Sequence, residues 1–289
     1  MTRDAGLASS LFQLIKPAVT RLVMVTMLCG AIIAPAPVDW VQLLVALFGT
    51  ALVVGSANAL NMYLERDLDG LMDRTRNRPL PAGRVTPELA LSFGLGLGLV
   101  GLPLLWVLVS PLVSLLNAAA LLLYVLVYTP LKRLSPWALH VGAIPGALPP
   151  LIGWATVTGT VSASALVPFA ILVVWQLPHF LAIALFRREE YARAGLRVLS
   201  VTQGEAVTRR AIAGYAGLLF ATTWLPALVG LGGWLYLALA IPPGAAFLAY
   251  ALRGLLSSAD RTWARRLFFL SLPHLVLLLG ALVVADLVG

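Results

Sequence analysis

Four oxygen-bearing side chains recur at intervals of four residues where an apolar stretch meets a charged segment. They are Asn61, Glu65, Asp69 and Asp73. Residues four apart lie on one face of a helix, each about 6 Å above the last. Carboxylate and amide oxygens suit Mg²⁺, which usually keeps waters and substrate phosphates among its ligands. The spacing therefore predicts a helical stripe of Mg²⁺ ligands.

Arginines follow this stripe directly, and the first and last of them are Arg74 and Arg78. Guanidinium groups bind phosphate oxygens through paired hydrogen bonds, so we expect Arg74 and Arg78 to bind a metal-bridged diphosphate. The alternative is a solvated helix end in which Arg66 and Arg74 pair with neighbouring acids. Because Asn61 lies inside an apolar run, where polar groups are costly, the pattern favours a functional site.

A second charged segment, residues 187–210, has the same length of 24 residues as the first, which spans residues 65–88. We predict that Glu190 binds a second metal ion from this segment. For Glu189, a ligand role and ordinary pairing with Arg187 or Arg193 remain equally open.

A third and shorter element carries Tyr128, Lys132 and Arg133. A hydroxyl and two cations can bind diphosphate oxygens, and the same two cations can simply mark the inner side of a membrane. From the residues alone both interpretations stay open.

Two of the three histidines lie eight residues from a charged segment. His179 precedes Arg187 by eight residues, and His274 follows Arg266 by eight. Eight residues of helix rise about 12 Å, so we expect the two side chains at similar depth. Most lone buried histidines are hydrogen-bonded packing residues, but imidazole is also a good iron ligand. We predict that His179, His274 or both bind the iron of a porphyrin.

Composition excludes several classes of protein. Of the 289 residues, 60% are hydrophobic and 11% are charged, and the mean hydropathy is +0.94. A soluble domain is about one-quarter charged, so a soluble enzyme, a disordered chain and a secreted disulfide scaffold are excluded. The single cysteine, Cys29, allows no internal disulfide. The net charge of +8 does not indicate nucleic acid, because the basic residues cluster at the ends of apolar runs.

Long stretches without charged side chains predict the transmembrane helices. The stretches are 22–64, which contains only Asp39, and 89–131, 134–186, 211–252 and 267–285, which contain none. About 20 apolar residues span a membrane, so the first four stretches each hold two helices and the last holds one. Turn-forming residues divide the long stretches at Pro35-Ala36-Pro37, Ser110-Pro111, Thr158-Gly159-Thr160 and 230–233. The sequence predicts an all-α, polytopic membrane protein with nine transmembrane helices.

These helices are expected to form a single domain, residues 1–289. The two long charged segments begin about 120 residues apart, which suggests two four-helix pseudo-repeats. The repeats would span residues 17–133 and 134–252, and a ninth helix would span residues 266–287.

All 20 Lys and Arg residues fall in alternate segments between the predicted helices: 1–21, 65–88, 132–133, 187–210 and 253–266. Because cytoplasmic segments are enriched in Lys and Arg, we expect these segments and the N-terminus on the inside. The first residues lack the pattern of a signal or transit peptide. We therefore expect a bacterial inner (cytoplasmic) membrane and a site that faces the cytoplasm.

The motifs together resemble the UbiA superfamily of intramembrane aromatic prenyltransferases, and within it the branch that farnesylates heme. The resemblance runs from about residue 10 to residue 285. It rests on Lys16-Pro17, Asn61-x3-Glu65-x3-Asp69, Arg74-Thr75-x-Asn77-Arg78-Pro79, Tyr128-Thr129-x2-Lys132-Arg133, Pro149-Pro150-x2-Gly153-Trp154 and Trp175-Gln176-x-Pro178-His179-Phe180. The last element is the most specific, since it marks the heme branch, whereas the second marks only the superfamily.

The resemblance implies nine helices around a central cavity open to the cytoplasm, Mg²⁺ as cofactor, and farnesyl diphosphate and heme B as substrates. The implied reaction joins the farnesyl chain to a heme vinyl group with addition of water, giving heme O and diphosphate. Asn61, Glu65 and Asp69 would form the catalytic metal site, with Asp73 joining through water. Membrane lipid would surround the protein, and a heme A synthase or an oxidase assembly partner would act downstream.

The chain departs from the superfamily pattern at three positions. Glu65 and Glu190 stand where Asp is usual, and each keeps a carboxylate on a longer arm. Ala138 follows Trp137 where bacterial relatives often carry Asn, which removes a polar group from that part of the expected pocket.

Two other functions compete with this interpretation. A prenyltransferase acting on another aromatic or quinone-precursor acceptor would share the metal site, but the segment 175–180 argues against it. A membrane transporter could also be built from two pseudo-repeats. A transporter should carry charged residues at mid-depth, whereas here they lie near the ends of the apolar stretches.

Overall fold

The apolar stretches form helices throughout the part of the chain that the structure describes. The structure, a computed structural model, covers residues 6–256 and 260–288, and these ranges contain no β-strand. Residues 1–5 and 289 of the predicted domain lie outside the described residues, as do residues 257–259 of the predicted inside segment 253–266.

The helices follow one another along the chain with short connections. In order they are α1 (Leu7–Leu14), α2 (Pro17–Ile32), α3 (Trp40–Gly70), α4 (Pro87–Leu108), α5 (Pro111–Leu122), α6 (Thr129–Leu134), α7 (Ala138–Thr158), α8 (Leu166–Phe186), α9 (Arg188–Arg193), α10 (Leu199–Thr202), α11 (Gly204–Thr222), α12 (Leu225–Leu228), α13 (Gly233–Leu252) and α14 (Arg261–Val288). A π-helical turn, Leu123–Tyr128, joins α5 to α6, and a 3₁₀ turn, Arg253–Leu255, follows α13.

The four predicted breaks between helices are confirmed, and local chemistry explains three of them. Asp39 caps the start of α3. Its side chain accepts hydrogen bonds from the backbone amides of Val41 and Gln42 at 2.9 and 3.1 Å. Ser110 caps α5 in the same way, with Pro111 at the first helical position. Gly159 ends α7 with a φ of +70°, a conformation that glycine adopts without steric cost.

Eight helical segments are long and apolar enough to cross a membrane. A ninth is formed by α1 and α2 if the pair counts as one span bent by 46° at its break. The described residues therefore supply eight or nine candidate spans, against the nine that the sequence predicts.

Two helices of the bundle, α2 and α7, pack with their backbones close together. A Cβ atom placed on Gly30 would lie 2.0 Å from the carbonyl oxygen of Pro150, and one placed on Gly153 would lie 1.9 Å from that of Met27. Small residues allow this close approach between membrane helices. The α2–α7 contact therefore depends on glycine at both positions.

We expect Gly153→Ala to lower the melting temperature of the detergent-solubilised protein, because the added methyl group must push α2 and α7 apart. Overpacking of this kind costs about 1–3 kcal/mol. Gly96→Ala is the control, because a Cβ there meets nothing within 4 Å. Thermal unfolding followed by circular dichroism measures both variants, and equal melting temperatures would contradict the packing argument.

Candidate active site

A cavity of about 1110 Å³ lies among α2, α3, α7, α8 and α14. Its walls are largely apolar, and its charged side chains come mostly from the ends of helices and from the connecting segments. We call the end of the bundle formed by residues 61–86, 132–135 and 187–203 the charged end.

Nine of the twelve predicted site residues line this cavity. They are Asn61, Glu65, Asp69, Arg74, Arg78, Tyr128, Lys132, His179 and Glu190. Asp73, Arg133 and His274 are not among its lining residues. The structure therefore brings together residues that are up to 129 positions apart in the sequence.

The predicted stripe on α3 is present over its first three members. Asn61, Glu65 and Asp69 are all buried, with 1%, 7% and 1% of their surface exposed. Both carboxylates are paired with cations: Glu65 with Lys132, and Asp69 with Arg78, whose Nη1 lies 2.7 and 2.9 Å from the two carboxylate oxygens. A buried carboxylate requires such a partner, because leaving one charge unpaired costs several kcal/mol.

The expectation that Asp73 continues the stripe is wrong. The helix ends at Gly70, so the four-residue spacing no longer places position 73 on the same face. The Asp73 side chain is 69% exposed and pairs with Arg76 and Arg193 at 3.6 and 3.4 Å. Surface pairing therefore occurs here, as in the alternative interpretation, but with Arg76 and Arg193 and not with Arg66 or Arg74.

A network of hydrogen bonds orients the Asn61 amide. Its Nδ2 donates to Thr129 Oγ1 at 3.1 Å, and its Oδ1 accepts from Lys16 Nζ at 2.8 Å. Thr129 in turn donates to the carbonyl oxygen of Tyr124, inside the π-helical turn. Turns of this kind occur often at functional sites.

Lys16 lines the cavity, although its residue type and spacing predicted no role for it. It stands between α1 and α2 with a φ of +47°, and no other non-glycine residue among those described has a positive φ. A left-handed backbone costs about 1–2 kcal/mol for a residue with a Cβ. The available signal was its place in the Lys16-Pro17 element.

The two long charged segments meet at the charged end. Glu190 is buried and accepts hydrogen bonds from the Arg74 amide at 3.2 Å and from Arg187 Nη1 at 2.7 Å. Burial alone would raise the pKa of Glu190, but these two hydrogen bonds hold its pKa below the usual value. Met72 and Leu196 pack together beside this contact.

The remaining charged candidates, Glu189, Lys132 and Arg133, each have a different contact. Glu189 lines the cavity, is exposed and pairs with Arg261, which is not one of the two arginines, Arg187 and Arg193, that the sequence suggested. Lys132 lies 4.8 Å from the ring centre of Tyr128, a cation–π contact at the cavity wall. Arg133 is exposed and donates to the Leu64 carbonyl oxygen at 3.3 Å.

The three histidines occupy different environments. His179 lines the cavity and stacks on Trp175, with ring centres 4.7 Å apart. His274 stacks on Phe247 of α13 at 4.7 Å and does not line the cavity, so of these two histidines His179 is the one that lies there. His140 is hydrogen-bonded to Tyr215 at 2.6 Å, as is typical of a packing histidine.

The donor set at the charged end suits Mg²⁺. Among the described residues, no three His, Cys, Asp or Glu side chains converge so that they alone could hold a metal ion. Mg²⁺ commonly takes only one or two carboxylates and completes its shell with waters and phosphates. Buried Glu65, Asp69 and Glu190, with the Asn61 amide, offer the hard oxygen ligands that this mode of binding needs.

Comparison with known proteins agrees with this fold. The UbiA prenyltransferase family matches residues 23–272. The chain is 52% identical to the protoheme IX farnesyltransferase of Sorangium cellulosum (strain So ce56), over 88% of this chain and 91% of that protein. Together with the apolar helices, these matches describe a multi-pass membrane protein.

Solved structures share the fold at low sequence identity. A structure of digeranylgeranylglyceryl phosphate synthase superposes with a TM-score of 0.83 and 17% identity, over 98% of this chain and 99% of that one. A UbiA homolog from Archaeoglobus fulgidus, bound to GPP and Mg²⁺, superposes with a TM-score of 0.62 and 14% identity, over 94% of this chain and 99% of that one.

We expect Arg78→Leu to destabilise the protein in Mg²⁺-free detergent solution by about 3–5 kcal/mol, because buried Asp69 loses its cation. Arg76→Leu is the matched control, since its pair with Asp73 is exposed and exposed pairs contribute about 0–1 kcal/mol. Chemical unfolding measures both changes. A similar loss in the two variants would show that the Asp69–Arg78 pair is not a buried charge pair.

Proposed function

This chain belongs to the UbiA prenyltransferase family, and on that premise we propose that it transfers the farnesyl group of farnesyl diphosphate to a vinyl group of heme B. Water is added in the same reaction, and the products are heme O and diphosphate. The observation that carries this proposal is a single cavity that combines paired charges at one end with an aromatic wall containing His179. The relative from Sorangium cellulosum bears the name of this activity.

The oxygen ligands at the charged end would hold Mg²⁺. Asn61, Glu65 and Asp69 would contribute from α3, and Glu190 would serve a second ion from the other loop. When bound, Mg²⁺ neutralises the negative charge that develops on diphosphate as its bond to carbon breaks. The A. fulgidus homolog bound to GPP and Mg²⁺ supports this assignment.

The cations of the same end would bind the diphosphate. Lys132 and Arg78 already lie in the cavity beside the acids, and Arg74 and Tyr128 line it with them. Bound metal would compensate the acids, so these cations could turn to phosphate oxygens. Asp73, Arg133 and His274 receive no direct contact with substrates in this proposal.

The reaction breaks the bond from farnesyl C1 to the diphosphate, the π bond of a heme vinyl group and one O–H bond of water, and it forms one carbon–carbon and one carbon–oxygen bond. The bond between farnesyl C1 and the diphosphate oxygen breaks, and its electron pair leaves with the diphosphate. A heme vinyl carbon bonds to C1, and the cation left on the neighbouring carbon takes a water molecule, which then loses one proton. The first step needs no general base, because the nucleophile is an alkene. The apolar walls would keep bulk water away until the carbon–carbon bond has formed.

The proposed function also implies an orientation of the protein in the membrane. Nine spans, with α1 and α2 counted as one, would put the N-terminus and the charged end on the cytoplasmic side of the inner membrane. The Lys and Arg residues of the connecting segments support this orientation. The domain would consist of two four-helix pseudo-repeats, about 17–133 and 134–252, and the final helix.

We expect Asp69→Ala to lower heme O formation by a factor on the order of 10²–10³ or more, because it removes a buried charge from the diphosphate site. Membranes supplied with heme B, farnesyl diphosphate and Mg²⁺ are analysed by mass spectrometry. Asp73→Ala removes an exposed carboxylate four residues away, and this variant should keep near wild-type activity. Normal turnover in Asp69→Ala, with the protein present in the membrane, would remove the metal-site assignment.

We expect His179→Ala to weaken heme binding at least tenfold while farnesyl diphosphate binding changes less than twofold, because His179 lies on the aromatic wall. Titration of the purified protein with each substrate measures both affinities. His274→Ala is the matched control, since that histidine is equally buried but lies outside the cavity. Equal losses for the two substrates in His179→Ala would make His179 a packing residue.

A further inference from the structure

Ser271 of α14 contacts two of the aromatic residues that the heme-specific element places on the cavity wall, Trp175 and His179. Its side chain is fully buried, and its Oγ lies 2.6 Å from His179 Nδ1. Its backbone carbonyl accepts a hydrogen bond from Trp175 Nε1 at 2.9 Å. Ser271 belongs to none of the sequence elements on which the family resemblance rests.

The hydroxyl of Ser271 determines which nitrogen of His179 carries the proton. A serine hydroxyl has one hydrogen, and Ser271 Oγ donates it to the carbonyl oxygen of Phe268 at 2.6 Å. Ser271 Oγ can therefore only accept at its contact with His179. The hydrogen-bond network assigns the proton of the neutral ring to Nδ1 and leaves a lone pair on Nε2.

Three aromatic rings keep the imidazole in this orientation. Trp175 stacks on it at 4.7 Å with an interplanar angle of 23°, and Phe268 and Phe180 lie 4.7 and 5.2 Å away. Among the described residues, none is hydrogen-bonded to His179 Nε2. This atom also keeps some solvent-accessible surface. Since His179 lines the cavity, its remaining polar atom is available there.

We propose that Ser271 is a positioning residue, which holds His179 as the Nδ1–H tautomer so that Nε2 binds the iron of the heme substrate. This inference rests on the proposed function, in which heme is the acceptor. A histidine that binds a metal normally donates its other N–H to a second group, which fixes the ring and makes the ligand nitrogen more basic. Here Ser271 supplies that second group, and the Phe268 carbonyl supports Ser271.

The test compares Ser271→Ala with wild type and with two controls. Ser271→Ala removes the hydroxyl but keeps the backbone carbonyl that binds Trp175, so it isolates the contact with His179. Ser271→Thr restores a hydroxyl. Ser114→Ala removes a similar buried hydroxyl, which donates to the Leu102 carbonyl oxygen at 2.8 Å and does not line the cavity.

Heme binding is measured by the Soret band and the ferric spin-state spectrum, and farnesyl diphosphate binding by calorimetry. We expect Ser271→Ala to weaken heme binding about 10–100-fold and to change the spin-state spectrum. Its farnesyl diphosphate affinity and melting temperature should match those of Ser114→Ala. Ser271→Thr should recover the wild-type spectrum. A wild-type heme spectrum and affinity in Ser271→Ala would overturn the proposal.

The tautomer is measured separately by ¹⁵N NMR of histidine-labelled protein without heme, with His179→Ala identifying the signal. A single Nδ1–H form in wild type that becomes mixed in Ser271→Ala supports the positioning role, and an unchanged signal contradicts it. Absence of heme O from the wild-type product assay would instead overturn the proposed function. The two failures are therefore distinguishable.

Discussion

A carboxylate buried in an apolar helical bundle must have a cation beside it, and the charged end of this protein is organised by that constraint. Glu65 pairs with Lys132, Asp69 with Arg78, and Glu190 with Arg187. An isolated buried charge costs several kcal/mol, so each acid draws a cation to the same end of the cavity. Acids and cations held together in this way are also the two kinds of group that a metal-bound diphosphate requires.

Along α8 and α14 the cavity wall is aromatic, and here ring stacking and hydrogen bonds, instead of ion pairs, position the side chains. Trp175 and His179 are four residues apart, so they lie on one face of α8 and stack on each other. Both reach across to a single residue of α14, Ser271, which accepts one hydrogen bond at its carbonyl and another at its hydroxyl. A flat, apolar acceptor with a metal at its centre needs the same combination of ring surface and one oriented nitrogen.

The sequence alone determined the helices, their breaks and most of the site. Stretches of apolar residues interrupted by Asp39, Ser110-Pro111 and Gly159 end and begin helices through local capping and turn chemistry, which needs no tertiary information. The spacing of Asn61, Glu65 and Asp69 also sufficed, because 3.6 residues per turn puts these positions on one face wherever the helix packs. Glu190 was found from its residue type and its place after an apolar stretch.

Only the tertiary structure decided which of the candidate side chains share the cavity. Spacing cannot show where a helix ends, so Asp73 was assigned to a stripe that stops at Gly70. Depth along a helix does not give its rotation, so His274 was matched with His179 although it faces Phe247 instead. Lys16 and Ser271 reach the site through contacts with residues 45 and 92 positions away. Such contacts depend on how separate helices pack, and packing between distant segments leaves no periodic pattern in the chain.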